Sequence, residues 1–139
     1  MHEGSITIRL AADVAEIERL NRLIRQFGEL HELPGRTLYA VNLALDEMVT
    51  NVILYGYEKA EGEQISVRLE VAPPELRCEI VDGGREFNPM QMPSPDLDTP
   101  LKDRELGGLG IHLMRALMDQ VTYRREEPKN VLTMSKRIR

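Results

Sequence analysis

Two short runs constrain the fold of this chain more than any other feature. Ile65, Val67, Leu69 and Val71 alternate with polar or charged residues, a Pro73-Pro74-Glu75 turn follows, and Leu76, Cys78 and Ile80 resume the alternation. A period of two places each apolar set on one face of a strand, so the pair reads as a β-hairpin with one dry side. That side must be covered, and helices elsewhere in the chain are the available cover.

The remaining pattern supplies them. Ile6, Ile8 and Leu10 alternate as a first strand, and Asp13 with Glu16 has the spacing of a capping box. Val14, Ile17, Leu20, Leu23, Ile24 and Phe27 then recur at helical spacing, with Gly28 near the end of the run and Pro34-Gly35 breaking the chain. A second helix is expected from about Thr37 to Tyr55, with Leu38, Val41, Leu45, Met48, Val49, Val52 and Ile53 inward and Gly56 as its stop. The stretch from about Arg85 to Leu106 holds Pro89, Pro93, Pro95 and Pro100 and no sustained period, which suits a functional lid or a disordered segment. Beyond Gly107 a third helix carries Ile111, Leu113, Met114, Leu117 and Met118. Val121 and Tyr123 open a strand, Glu127 to Asn130 turn it back, and Leu132, Met134 and Ile138 form the last strand. Hairpins dominate this order, so the expected fold is α+β: a two-layer α/β sandwich with a mixed, mostly antiparallel sheet and helices on one face. Residues 1–139 read as a single domain.

Composition narrows the function classes. The 139 residues carry a net charge of −5, with 42% hydrophobic and 29% charged side chains, which is globular rather than disordered. No basic block is present, so direct nucleic-acid binding is not expected. The single cysteine, Cys78, allows no intrachain disulfide and lies in an alternating run, where a small core side chain is the natural reading. The first residues lack a basic-then-apolar leader, and no run reaches the roughly 18 apolar residues of a membrane span. A soluble, cytoplasmic protein without a membrane partner is expected.

Three features carry chemistry. Glu47 and Asn51 lie one turn apart on a face they share with Ala40 and Leu43, so a carboxylate and an amide interrupt an otherwise apolar stripe. Asp82 ends a buried strand and is followed by Gly83 and Gly84. Gly107, Gly108 and Gly110 stand at the mouth of a helix, whose first N–H groups lack intrahelical partners and attract anions. Taken singly, each has a plainer reading: a solvated helix edge, a strand terminus, a glycine-rich cap. No Gly-Lys-Ser/Thr follows the cluster and no strand precedes it, so it is neither a Walker A loop nor a dinucleotide fingerprint.

In this order the three features resemble the GHKL (Bergerat-fold) ATPase superfamily, and within it the bacterial anti-sigma-factor serine/threonine kinases. Glu47 to Asn51 resembles the N-box, Val81-Asp82-Gly83-Gly84 with Phe87-Asn88-Pro89 the first glycine box, and Gly107 to Met114 the second. The resemblance implies a kinase that uses ATP and Mg²⁺, phosphorylates a serine on an anti-anti-sigma (STAS-type) protein and sequesters a sigma factor, as a homodimer. It implies Glu47 as general base and Asn51 as the Mg²⁺ ligand. Asp82 would accept the adenine amino group, Gly84 and Phe87 would lie beside the base, and Gly107, Gly108 and Gly110 would hold the phosphates. The lid would run from about Met90 to Leu106.

Three positions depart from the family pattern. Glu86 stands at a second glycine of the wider superfamily, Leu109 where a basic residue is common, and Lys129-Asn130 where Gly-Thr opens the last strand near the adenine. Leu109 and Lys129-Asn130 leave room for an alternative, a non-catalytic ATP-binding module that acts by holding a partner. A histidine-kinase catalytic domain fits less well, because no phosphoacceptor hairpin precedes the first strand. His2, His31 and His112 have no ligand-spaced partners, so no metal beyond Mg²⁺ is expected. The seven methionines read as core or interface filler.

Overall fold

The structure is a computed structural model, described over residues 4–91 and 108–139. Its described elements are strand β1 (Ser5–Ala11), helices α1 (Ile17–Leu30) and α2 (Gly35–Asn51), strands β2 (Gln64–Ala72) and β3 (Glu75–Asp82), helix α3 (Gly108–Leu117), and strands β4 (Gln120–Glu126) and β5 (Lys129–Arg137). The strands form one sheet in the order β1-β2-β3-β5-β4, and every neighbouring pair is antiparallel. The expected α+β sandwich is present, and no parallel pair occurs among the described strands.

Register aligns the inward residues into rows. Leu10 faces Ile65, Val67 faces Ile80, Leu69 faces Cys78, Ile80 faces Leu132 and Cys78 faces Met134. These side chains are buried against Leu20, Ile24 and Phe27 of α1, Val41, Leu45, Met48 and Val49 of α2, and Ile111 and Met114 of α3. Burial also pushes the Cys78 thiol up to about 12, so at neutral pH it is protonated and packs as an apolar group. The opposite face carries Arg9, Arg68, Arg77 and Glu79, consistent with contact with water.

Helix termini differ from the sequence expectation in instructive ways. Asp13 caps its helix by accepting from the Ala15 N–H at 2.9 Å, but Glu16 accepts from the Ala11 N–H at 3.0 Å and not from Asp13. The reciprocal bond of a capping box is thus moved back two residues, tying the helix to the end of β1. Gly28 lies in the last turn of α1, which ends at Leu30. A β-carbon at Gly28 would come within 2.4 Å of Leu38 Cδ2, so the glycine lets α1 and α2 approach closely.

Helix α2 begins at Gly35 and not Thr37, with Pro34 as its cap residue. The Thr37 hydroxyl donates to the Ile138 carbonyl at 2.7 Å in a buried bond, fastening the start of α2 beside the end of β5. Its regular winding stops at Asn51, and Val52–Gly56 widen into a π-helical turn. Such widenings are common where a helix borders a functional site.

Candidate functional site

The π-turn opens one wall of a cavity of about 430 Å³, within the roughly 300–1,000 Å³ of small-molecule sites. Met48 and Asn51 of α2, Ile80 and Asp82 of β3, Tyr123 of β4, Asn130 of β5 and Ile111 of α3 line it. Phe87 lines the rim and stays 43% exposed. An apolar cavity with a few convergent polar groups has the make-up of a small-molecule or cofactor site.

Asp82 is the polar anchor. It is only 6% exposed at the end of β3, and its Oδ1 accepts from the Gly84 N–H at 2.9 Å and from Asn130 Nδ2 at 3.0 Å. Asn130 faces it directly across the β3–β5 ladder. The Asn130 amide is itself held on both ends. Nδ2 also donates to the Arg85 carbonyl at 2.8 Å, while Oδ1 accepts from the Tyr123 hydroxyl at 2.5 Å, Arg125 Nη1 at 3.2 Å and the Phe87 N–H at 3.4 Å. Arg125 donates from the same nitrogen to the Gly84 carbonyl at 2.9 Å and pairs through its fork with the Glu127 carboxylate.

Gly84 is required for a reason the sequence did not disclose. A β-carbon there would stand 2.6 Å from the Gly56 carbonyl oxygen and 3.0 Å from Asp82 Oδ1. Arg85 closes the same junction: its N–H donates to the Gly56 carbonyl at 2.9 Å, and its guanidinium donates to the Tyr55 carbonyl from Nε at 2.8 Å and from Nη2. A cation at the end of α2 is favourably placed against the carbonyl end of the helix dipole. The segment after β3 is therefore clamped to the π-turn.

Glu47 is half-buried and lies one turn before Asn51, outside the cavity lining, where α2 meets the first turn of α3. Its carboxyl is raised above its ordinary pKa, first by burial and then by the neighbouring Asp46 carboxylate. Asn51, by contrast, borders the cavity. Among the described residues no cluster of three or more His, Cys, Asp or Glu could hold a metal ion. A lone amide side chain beside the cavity suits Mg²⁺, which takes few protein ligands and keeps waters and phosphate oxygens.

Asn51, Asp82 and Phe87 thus come together around one cavity, with Gly84 beneath Asp82. Gly108 opens α3, Gly110 abuts Glu47, and Ile111 of that same turn reaches the cavity. Gly107 and all of the expected lid beyond Gln91 lie outside the described residues. Leu109 is 44% exposed in the first turn of α3. Tyr123, Arg125 and Asn130 were not singled out as site residues. Their signal was the departure at Lys129-Asn130, which put a longer polar side chain opposite Asp82.

The fold and this cavity define a nucleotide-binding domain of the ATPase type. The chain belongs to the histidine kinase-like ATPase domain family, whose match runs over residues 10–136. It is 30% identical over 101 residues to the serine/threonine-protein kinase BtrW of Bordetella bronchiseptica, covering 73% of this chain and 71% of that one. It is 31% identical over 97 residues to an anti-sigma F factor of Clostridium botulinum, covering 70% and 68%. Among solved structures, it resembles the RsbU and RsbW domains of Rv1364c from Mycobacterium tuberculosis, with a TM-score of 0.70 at 15% identity. That match covers 96% of this chain and 32% of the other, so this chain spans about a third of it. A histidine kinase domain from a blue-light activated kinase of Erythrobacter litoralis gives 0.56 at 16% identity, covering 93% and 64%. These two likenesses bear on the fold. No helix among the described residues is long and apolar enough to cross a membrane.

Proposed function

We propose that this chain is an ATP-dependent serine/threonine protein kinase and anti-sigma factor, acting on a serine of an anti-anti-sigma (STAS-type) protein and sequestering a sigma factor. The observation that carries it is the position of Glu47: half-buried, raised in pKa, one turn before Asn51 and against the glycine-rich start of α3. Two of its relatives are named a serine/threonine-protein kinase and an anti-sigma F factor, which supports the same reading.

The residues divide the work. Asp82 holds the base, with Phe87 covering it at the rim. The first turn of α3, from Gly108 to Gly110, offers unpaired N–H groups to the phosphates. Asn51 would hold Mg²⁺, which supplies neutralisation of phosphate charge when bound. Glu47 takes the proton of the attacking serine hydroxyl while that oxygen bonds to the γ-phosphorus, the β–γ bridging bond breaks, and ADP departs. A carboxyl raised above its ordinary pKa is a better base at neutral pH than an unperturbed one. In this reading the protein is cytoplasmic and homodimeric, and its residues form one catalytic unit.

One observation favours a second reading. Leu109, exposed in the first turn of α3, offers no charge to a phosphate, which suits a module that binds ATP and acts only by holding its partner. Labelled ATP with Mg²⁺ and a cognate STAS-type protein decides between them. Label on that protein's serine supports the kinase; ATP binding without transfer supports the module; absence of ATP binding overturns both.

A further inference from the structure

We propose that Asn130 sets which purine this site accepts, by committing one oxygen of Asp82 and leaving the other for a single ligand donor. The proposal rests on the nucleotide reading above and adds a specificity-determining residue to it.

The commitment is geometric. Asp82 Oδ1 receives two donors, the Gly84 N–H at 2.9 Å and Asn130 Nδ2 at 3.0 Å, which fill the two lone pairs of that oxygen. Among the described residues no donor meets Oδ2, so Oδ2 is the acceptor left for a ligand in the cavity. The Asn130 amide cannot turn over. Its Oδ1 faces Arg125 Nη1 and the Phe87 N–H, which only donate, together with the Tyr123 hydroxyl. A flipped amide would set its NH₂ group against those donors and its oxygen against the Asp82 carboxylate.

Purines differ in what they ask of a carboxylate. The edge of adenine presents one exocyclic amine beside a ring nitrogen that accepts. The edge of guanine presents two adjacent donors, N1–H and the 2-amino group, which pair with both oxygens of a free carboxylate. With Oδ1 occupied, Asp82 matches the one-donor edge and refuses the two-donor edge. Discrimination here comes from removing an acceptor as well as from supplying one.

The family resemblance assigned adenine to Asp82 and set a Gly-Thr near the base; what is particular to this chain is the asparagine that stands there and bonds Asp82 directly. Asn130 is a positioning residue for Asp82, and Tyr123 and Arg125 hold Asn130 in turn.

Isothermal titration of the full chain with Mg·ATP and with Mg·GTP tests this, in wild type and in the Asn130→Ala and Tyr123→Phe variants. Wild type should prefer ATP by at least about 100-fold. Asn130→Ala should lower that preference about tenfold or more, with GTP binding tightening as ATP binding weakens. Tyr123→Phe, which removes only a hydroxyl, should shift the ratio the same way by a smaller factor. If Asn130→Ala does not fold by thermal melt, the ratio in Tyr123→Phe decides. An unchanged ratio with both affinities weakened equally makes Asn130 a structural residue and overturns the inference, as does a wild type without preference. A wild type that binds neither nucleotide overturns the nucleotide reading itself.

Discussion

The carboxylate of Glu47 occupies the space beside Gly110 that a side chain would need: a β-carbon on Gly110 would stand 2.4 Å from Glu47 Oε2. The end of a glutamate can swing away, so Gly110→Ala should fold. Alanine favours a helix by up to about 1 kcal/mol over glycine, so the melting temperature should hold or rise slightly. Phosphotransfer should nevertheless fall at least about tenfold, because a displaced base loses its alignment. A variant that keeps both its stability and its full transfer rate would show that Glu47 needs no fixed position.

Glu47→Gln should cut transfer by about 100-fold or more, with ATP affinity within about threefold of wild type in equilibrium titration. The pH dependence follows from the raised pKa. Since the base must be ionised, the acid limb of the rate profile should lie above that of an ordinary glutamate. Stability runs the other way: a carboxyl with a raised folded-state pKa favours folding when protonated, and loses that contribution as pH rises through the raised value. Glu47→Gln should therefore melt higher than wild type at pH 8, with the gap closing as pH falls. A gap that widens toward low pH would contradict the burial assigned to this group.

Gly84→Ala has no comparable relief. Its β-carbon would meet the Gly56 carbonyl oxygen at 2.6 Å, a backbone atom clamped by Arg85. Overpacking of this kind costs about 1–3 kcal/mol, measurable as a lower denaturant midpoint at unchanged m-value. ATP affinity should fall as well, because the added methyl would also lie 3.0 Å from Asp82 Oδ1. Full stability in Gly84→Ala would mean that the π-turn yields easily.

Chelating Mg²⁺ with EDTA should abolish transfer and weaken ATP binding. Asn51→Ala should weaken Mg·ATP binding by about tenfold or more while leaving the affinity for metal-free ATP close to wild type. If both forms weaken equally, Asn51 shapes the cavity wall and does not hold the ion.

Much of this fold could be read from local pattern, because its cause is local. The alternation of Ile65 to Val71 and Leu76 to Ile80 produces the central hairpin, and the stripe from Ile17 to Phe27 produces α1. Helix ends were less legible. Gly28 stands near the end of the run, but its contact with Leu38 was not visible, because that approach depends on how two helices cross. The change of winding after Asn51 left no mark on the apolar spacing. At the site, Asn51 and Asp82 were recognisable as polar groups at the edge of apolar runs. Asn130 was visible only as an irregularity, since its partner lies 48 residues away and is chosen by strand register.

That register has a consequence for folding. Side chains alternate faces, so sliding β5 by one residue against β3 would carry Asn130 to the far side of the sheet and leave Asp82 without it. In the proposed site only the correctly aligned sheet grips the base, and so only that alignment gains from ligand. At 100 times its dissociation constant a nucleotide adds about 2.7 kcal/mol to the state that binds it. On that proposal the ligand acts as a proofreader of strand alignment, rewarding the one arrangement in which two distant residues meet.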